Sequence, residues 1–447
     1  STLIKRDSDM EIVYDLATDY SISKNGLEYT FKLRDDVKFS DGEPLTADDV
    51  VFTYKTAANN GSIVDLNFME NVELIDDHTV KFILKKPQST FLNTIIKTGI
   101  IPKHAYDDNY GNNPIGSGPF KFVQWDKGQQ LMVEENPIYY GKHPNFTKIA
   151  FLFLSDDASF AAAKAGKVDI AITNPLLAKH QVDNMTVYAA KTMDNRGISF
   201  PCIPYGSETR ADAKPVGNNA TCDIAIRKAI NVAVDRKALV DGVLEGYGSP
   251  AYTLCDGMPW SNEEDYFEDG NKEEAIRLLE EAGWIDADGD GVREKNGIKA
   301  EFTLYYMPSD SIRQATAMSV AKMVAPIGIK INLEGKNWEE VFKHNLHTDP
   351  YLFGKGTEDP LELYNVYSSE LKGVNNNNPT FYSNPAVDNY MQLAMQATTS
   401  TEANKYWKKA QWDGEEGCGN KGDASWVWLF NIDHLYFTKI ALLQNLQ

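Results

Sequence analysis

The side chains in this sequence that could do chemistry gather in four places. Between Gly283 and Gly297, Asp286, Asp288, Asp290 and Gly291 take positions 1, 3, 5 and 6 of a calcium-binding loop, and Glu294 takes position nine. The twelfth position, where such a loop needs a bidentate glutamate, is Gly297, so the alternative is a tight acidic turn. Arg196, in Asn195-Arg196-Gly197, is a candidate clamp for a carboxylate, or else half of a structural ion pair. Lys355 suits a ligand's carboxylate and Glu358 an amine or a metal-bound group, while together they suit an ion pair at a loop tip. From Trp426 to Tyr436, Trp426, Trp428 and Tyr436 offer rings to enclose a ligand, and His434 offers an imidazole to a metal. A histidine among aromatics is also often a hydrogen-bonded core residue. His344 and His347 lie one turn apart, a chelating spacing with nothing nearby to complete it. No Ser-His-Asp, Cys-His or paired-carboxylate constellation assembles from marked motifs, and Gly116-Ser117-Gly118-Pro119 fits neither phosphate-loop spacing.

These groups need a scaffold, and 447 residues are enough for two or three domains. Hydrophobic residues at 42% and charged ones at 24% are ordinary globular proportions. A formal net charge of -20 argues against nucleic acid, whose phosphates need a basic face. No apolar run approaches the ~20 residues of a membrane-spanning helix. No signal peptide is present, so the expectation is a cytoplasmic protein or a mature exported one. Cys202, Cys222, Cys255 and Cys418 form no C-x-x-C pair. Cys202 and Cys222 bracket a segment rich in Gly and Pro, and either bridge in an oxidising compartment or stay as buried thiols.

Periodicity supplies the elements. Tyr29, Phe31 and Leu33 alternate with polar residues as a half-buried strand; Ser40 to Pro44 turns, and Thr46 caps an apolar helix with Asp48 and Asp49 in its first turn. Val72 to Lys86 predicts a hairpin turning at Asp76-Asp77-His78. Ile149–Leu154, Asp156–Ala165 and Gly166–Ala171 predict a β-α-β unit and with it a parallel sheet. Asp223 to Leu244 predicts two amphipathic helices, the second capped by Asp235. A second crossover runs from Asp310 to Gly335, and Asp359-Pro360 opens a helix.

The string from Leu33 to Val50, LRDDVKFSDGEPLTADDV, closely resembles the signature of the family 5 extracellular solute-binding proteins, the peptide- and nickel-binding receptors of ABC importers. Gly116-Ser117-Gly118-Pro119-Phe120, Asn136-Pro137-Ile138-Tyr139-Tyr140-Gly141, Gly166-Lys167-Val168-Asp169-Ile170-Ala171 and the Ile226-Arg227 to Asp235-Arg236 helix match further family motifs. The resemblance implies a non-enzymatic α/β protein of two-lobed, periplasmic-binding-protein-like architecture (type II, three subdomains), with mixed sheets and a hinge. It implies residues 1–12 as a fragment of the large domain of lobe I, 13–118 as its small subdomain, 119–198 as the large domain, 199–425 as lobe II and 426–447 as a return to lobe I. Segments carrying ligand contacts are expected beyond both ends.

For function, the resemblance implies an extracytoplasmic receptor, free in a periplasm or lipid-anchored with its signal removed. It would be a monomer that closes on its solute and delivers it to ABC permease subunits. Peptide-binding members place an aspartate a few residues before the proline of the loop Lys355–Pro360, to pair with the peptide's α-amino group. Gly356 stands at that place here, and the pattern continued by Glu362, Tyr364 and Asn365 is nearer the nickel-type branch. Lys355 and Glu358 depart from that branch, where an aromatic and a histidine are expected. The expected ligand-binding residues are therefore Arg196, Lys355, Glu358, Tyr364, Trp426 and Trp428, with His434 as a contact to the ligand's metal. A nickel complex is the leading cargo and a short peptide the alternative; no cofactor is required, and structural calcium at Asp286, Asp288 and Asp290 is a separate expectation. A secreted α/β hydrolase is the reading from another class.

Overall fold

The computed structural model describes residues 1–7, 11–59, 66–374 and 376–443; the side chains of His344, Asn345 and Leu443 also lie outside the description, and with them the His344–His347 pair. The chain divides into two compact units. One comprises Ser1–Ser155 with Met395–Ala403, the other Asp156–Ala394 with Asn404–Gln447.

In the first unit the alternation at Tyr29 becomes a strand with Tyr29, Phe31 and Leu33 buried. An antiparallel sheet forms from β1 (Ala17–Ile22), β2 (Glu28–Leu33), β3 (Met69–Asp76) and β4 (Thr79–Leu84), in the order β1-β2-β4-β3. The last two are the hairpin foreseen around Asp77. Helix α1 (Ala47–Asn59) joins this core through Tyr54, whose ring lies 4.7 Å from that of Phe82. Its start is tied more tightly than a solvated first turn. Asp49 is buried, accepting the Thr46 amide at 3.0 Å and the Lys103 amide at 2.9 Å, while Asp48 stays outside and pairs with the Lys103 ammonium.

A separate antiparallel sheet, β5 (Phe120–Asp126), β6 (Gln130–Glu135) and β7 (Lys148–Leu152), corrects one expectation. The run at Ile149 pairs with β6, and the strand after the alanine-rich helix pairs elsewhere, so no parallel β-α-β unit forms there. Helix propensity between two apolar runs cannot specify which sheet each run joins.

In the second unit, α2 (Asp156–Lys164) is followed by β8 (Ile170–Thr173), β9 (Met185–Ala190) and β10 (Asn195–Ser199). Helix α3 (Ile224–Ala233) buries Ile226, Ala229, Ile230 and Ala233, the helical repeat read from sequence, and Asp223 caps it by accepting the Ala225 amide. Helix α4 (Arg236–Val243) is capped by Asp235 as anticipated. Then come β11 (Gly248–Pro250), α5 (Lys272–Glu281), β12 (Glu301–Tyr306), α6 (Ser311–Val324), β13 (Lys330–Gly335), β14 (Tyr351–Phe353), α7 (Leu361–Tyr367), β15 (Trp426–Ile432) and β16 (His434–Lys439). A six-stranded mixed sheet runs β11-β15-β10-β14-β12-β13; β12 and β13 are parallel, the crossover expected around α6. Every residue of β15 is buried, in a core that includes Ile226, Leu239, Trp284 and Phe302.

The C-terminal aromatic stretch is two strands, not one. It leaves the six-stranded sheet at Asp433 and re-pairs as the centre of an antiparallel sheet β8-β16-β9. The chain from β9 to β10 crosses beside it in the opposite sense. The Ile432 amide donates to the Asp194 carbonyl at 2.9 Å, and the Thr192 hydroxyl to the Ile432 carbonyl at 2.6 Å. Two adjacent crossings thus join the six-stranded and three-stranded sheets. The four cysteines are free thiols; Cys202 and Cys222 each donate to a nearby carbonyl of their own segment.

Candidate ligand site

The crossings carry the first charged group. Arg196 follows the crossing into β10 and is 9% exposed. Its Nη1 donates to Asp194 Oδ1 at 2.5 Å and to the Asn195 carbonyl at 2.7 Å, and its Nη2 to Asp194 Oδ2 at 3.4 Å. His434 opens the other crossing with its imidazole 48% exposed and Nε2 3.5 Å from Asp194 Oδ2. Burial opposes the Asp194 charge, but hydrogen bonds from Arg196 and His434 outweigh it and hold the carboxyl below its usual range.

Asn195, which the motifs did not mark, organises the next loop. Its side-chain oxygen accepts the amides of Lys355 and Gly356 at 2.9 and 3.0 Å, fixing the exit of β14 against β10. Lys355 then reaches Glu362 on α7 at 3.3 Å, with both side chains largely covered, while Glu358 is exposed. Gly356 is compelled by packing: a Cβ there would lie 1.5 Å from the Met193 carbonyl oxygen. No side chain, an aspartate included, fits on this backbone.

The expected aromatics are present but interior. Trp426 and Trp428 stack at 4.7 Å, with ring planes nearly parallel at 2°, and each is 2% exposed. Trp428 Nε1 donates to the Tyr367 hydroxyl at 3.0 Å, and its ring fills the space over Gly197, where a Cβ would sit 2.5 Å from Trp428 Cε3. Tyr364 belongs to another neighbourhood. Its hydroxyl donates to Glu370 Oε2 at 2.5 Å, and burial together with that carboxylate pushes it up to about 12. The structure thus gathers Arg196, His434 and Lys355 around Asn195 and Asp194, and leaves Tyr364 apart.

Arg313 was missed. It lies in the first turn of α6, where its Nη1 pairs with the helix-capping Asp310 and its guanidinium sits 5.3 Å over the Trp338 ring. The spacing Asp310-x-x-Arg313 is that of any capped helix start, so the sequence carried no signal for it.

At the acidic turn, Asp286, Asp288 and Glu294 bring carboxylate oxygens within 4.8 Å of one another. Asp286 spends both oxygens on the Gly289 and Gly291 amides, and the Lys299 ammonium bonds Asp288 and Asp290. That lysine already supplies positive charge beside the carboxylates in which a calcium ion was expected.

Residues 11–378 match the family of bacterial extracellular solute-binding proteins, family 5 middle region, and the chain belongs to that family. It is a substrate-binding protein of ABC import, a class of binding proteins and not of enzymes. Protein XP55 of Streptomyces lividans is 34% identical over 97% of this chain and 79% of its own. NikZ of Campylobacter jejuni, solved with Ni(L-His), is 26% identical and covers 98% of this chain and 88% of its own with a TM-score of 0.78. The oligopeptide-binding protein AppA of Bacillus subtilis, solved with a nonapeptide, is 25% identical over 98% and 88%, with a TM-score of 0.72. These solved relatives have the two-lobed fold. Among the described residues no helix is long and apolar enough to cross a membrane.

Proposed function

We propose that the solute is a small nickel complex whose organic chelator carries a carboxylate. The observation that carries this is the backbone at Gly356, which leaves no room for the aspartate that would pair with a peptide's amino group. Two further features support it. The half-exposed His434 imidazole offers a metal ligand, and it shares Asp194 with Arg196, whose guanidinium suits a chelator's carboxylate. NikZ, solved with Ni(L-His), is consistent with such cargo in the family. A short peptide is the second reading, favoured by the Asp194 carboxylate, which is 40% exposed and suits an amine. In either case the chain works outside the cytoplasm as a monomer that hands its solute to a permease. Calorimetry with nickel chloride, nickel plus histidine, and a di- to pentapeptide pool tests the cargo. Nickel with histidine is expected to bind more tightly than nickel alone; binding of peptides only would overturn the proposal.

A further inference from the structure

The loop that leaves β14 lies against the strand that crosses into β10, backbone on backbone. A Cβ at Gly354 would sit 2.4 Å from the Asn195 carbonyl oxygen, and one at Gly356 would sit 1.5 Å from that of Met193. Between the two glycines stands Lys355, the residue of the three with a side chain to offer a solute. The ladder that joins β10 to β14 ends where Gly197 faces Phe353. Beyond that point a side chain takes over. Asn195 Oδ1 accepts the Lys355 amide at 2.9 Å and the Gly356 amide at 3.0 Å. Its Nδ2 donates to the Leu254 carbonyl at 3.1 Å, so one amide group holds three segments of chain.

Asn195 is fully buried, and bulk water cannot take over its bonds. Two successive amides on one oxygen fill both of its lone pairs. They fix the rotation of the loop as well as its distance from the crossing, where a single bond would leave a swivel. An amide that leaves this seat loses an acceptor at a covered position, which is costly. Lys355 inherits the seat. Its ammonium stands 3.3 Å from Glu362 Oε1 and 5.9 Å from the centre of the Phe353 ring, with the side chain 12% exposed. An ammonium carries three donors, so the pair with Glu362 leaves it able to meet a solute as well.

We infer that Asn195 is a positioning residue of the solute site: it fastens Lys355 to the crossing strand, and solute affinity depends on it through Lys355. The inference rests on the proposed solute, whose carboxylate Lys355 suits. Any bend of the crossing between Met193 and Asn195 carries Lys355 with it, because the loop is bonded to that strand. An uncharged residue with no exposed surface thereby sets where a charged one stands.

The test takes calorimetry of the whole chain with nickel plus histidine, and with a di- to pentapeptide pool, for the wild type, Asn195→Ala, Lys355→Ala and the double variant. Each single substitution is expected to weaken the solute that binds by roughly tenfold, and the double variant by no more than the stronger single one, because the two losses are one. Losses that multiply to roughly a hundredfold would overturn the inference, since Asn195 would then act apart from Lys355. Asn195→Asp is the conservative variant. It restores an acceptor for both amides but not the donor to Leu254, so it is expected to recover most of the affinity lost in Asn195→Ala while still unfolding at lower urea than the wild type. Affinity that falls in step with stability across the two variants would make Asn195 a structural residue only. Should Asn195→Ala not fold, Asn195→Ser, whose hydroxyl is too short to reach both amides, replaces it in each comparison.

A second arm needs no solute. Hydrogen exchange at the Lys355 and Gly356 amides is expected to quicken by roughly tenfold or more in Asn195→Ala, and to stay near the wild-type rate in Asn195→Asp. Equal rates in the wild type and Asn195→Ala would overturn the fastening. If neither probe binds the wild type, the proposed cargo fails, and exchange decides whether Asn195 holds the loop.

Discussion

Arg236 on one side and Arg196 and Arg313 on the other show how differently covered guanidinium groups are bonded within a single unit. The Arg236 side chain is 0% exposed, and all of its nitrogens are engaged. Nε donates to the Ala251 and Trp428 carbonyls, Nη1 to the Asn231 carbonyl and Asp269, and Nη2 to Asn231 Oδ1. The rings of Tyr252 and Phe267 stand 4.9 and 5.1 Å from it. Arg196 and Arg313 are also largely covered, yet each keeps Nε without a partner among the described residues. Burial is common to both cases, and hydrogen-bond completeness is what differs between them.

The largest expected effect breaks the structural member. Arg236→Met removes the group that ties α4 to β15, takes the guanidinium from Asp269, and leaves four carbonyl or amide acceptors without this donor. A loss of about 3–5 kcal/mol in urea unfolding is expected, with solute affinity of the folded fraction unchanged. A loss below about 1 kcal/mol would show that completeness does not measure structural weight.

Gly197→Ala comes next and probes the floor beneath the site. Its new methyl meets Trp428 Cε3 at 2.5 Å, so the tryptophan stack must shift or the strand must bend. Overpacking of this kind costs about 1–3 kcal/mol. Near-UV circular dichroism is the companion measurement, since the stacked Trp426–Trp428 pair should give a coupled indole signal that weakens in the variant. An unaltered signal with unaltered stability would mean that the stack is free to move aside.

Arg196→Ala follows, as the open member of the comparison. A weakening of a carboxylate-bearing solute by roughly tenfold, about 1.4 kcal/mol, is expected in calorimetry. Stability should change less than for Arg236→Met, because the exposed Asp194 left behind can turn to water. Unchanged affinity would remove Arg196 from the site.

The same contrast explains what could be read from the residues alone. The strand at Tyr29, the hairpin at Asp77, the Asp235 cap and the crossover through α6 follow from local alternation, turn chemistry and capping, and all four form as anticipated. Sheet membership did not follow. The apolar run at Ile149 and the strand at Ile170 part company, and the aromatic C-terminal stretch divides at Asp433, because pairing partners are chosen over long sequence separations. At the site, Arg196 and His434 stood out by type. Asn195 did not, since its role is to staple Lys355 and Gly356, 160 and 161 residues away. Arg313 was hidden behind an ordinary helix start. Trp426 and Trp428 were legible as aromatics, but their burial, with Trp428 against Gly197, was not.

The smallest expected effect lies at the acidic turn, the cluster most visible in the sequence. Its carboxylates have what Arg196 and Arg313 lack. Asp286 is bonded to backbone amides, and Lys299 bridges Asp288 and Asp290 from the following strand pair. These side chains are exposed, so screening keeps their pairing weak. Chelating calcium from the wild type should therefore leave its melting temperature within about 1 °C. In Lys299→Ala the counter-charge is gone, the turn carries its acidic charge uncompensated, and added calcium should raise the melting temperature more than it does in the wild type. A large calcium effect on the wild type would mean that the lysine yields to the ion, and that an incomplete ligand set can hold a cation where three carboxylates converge.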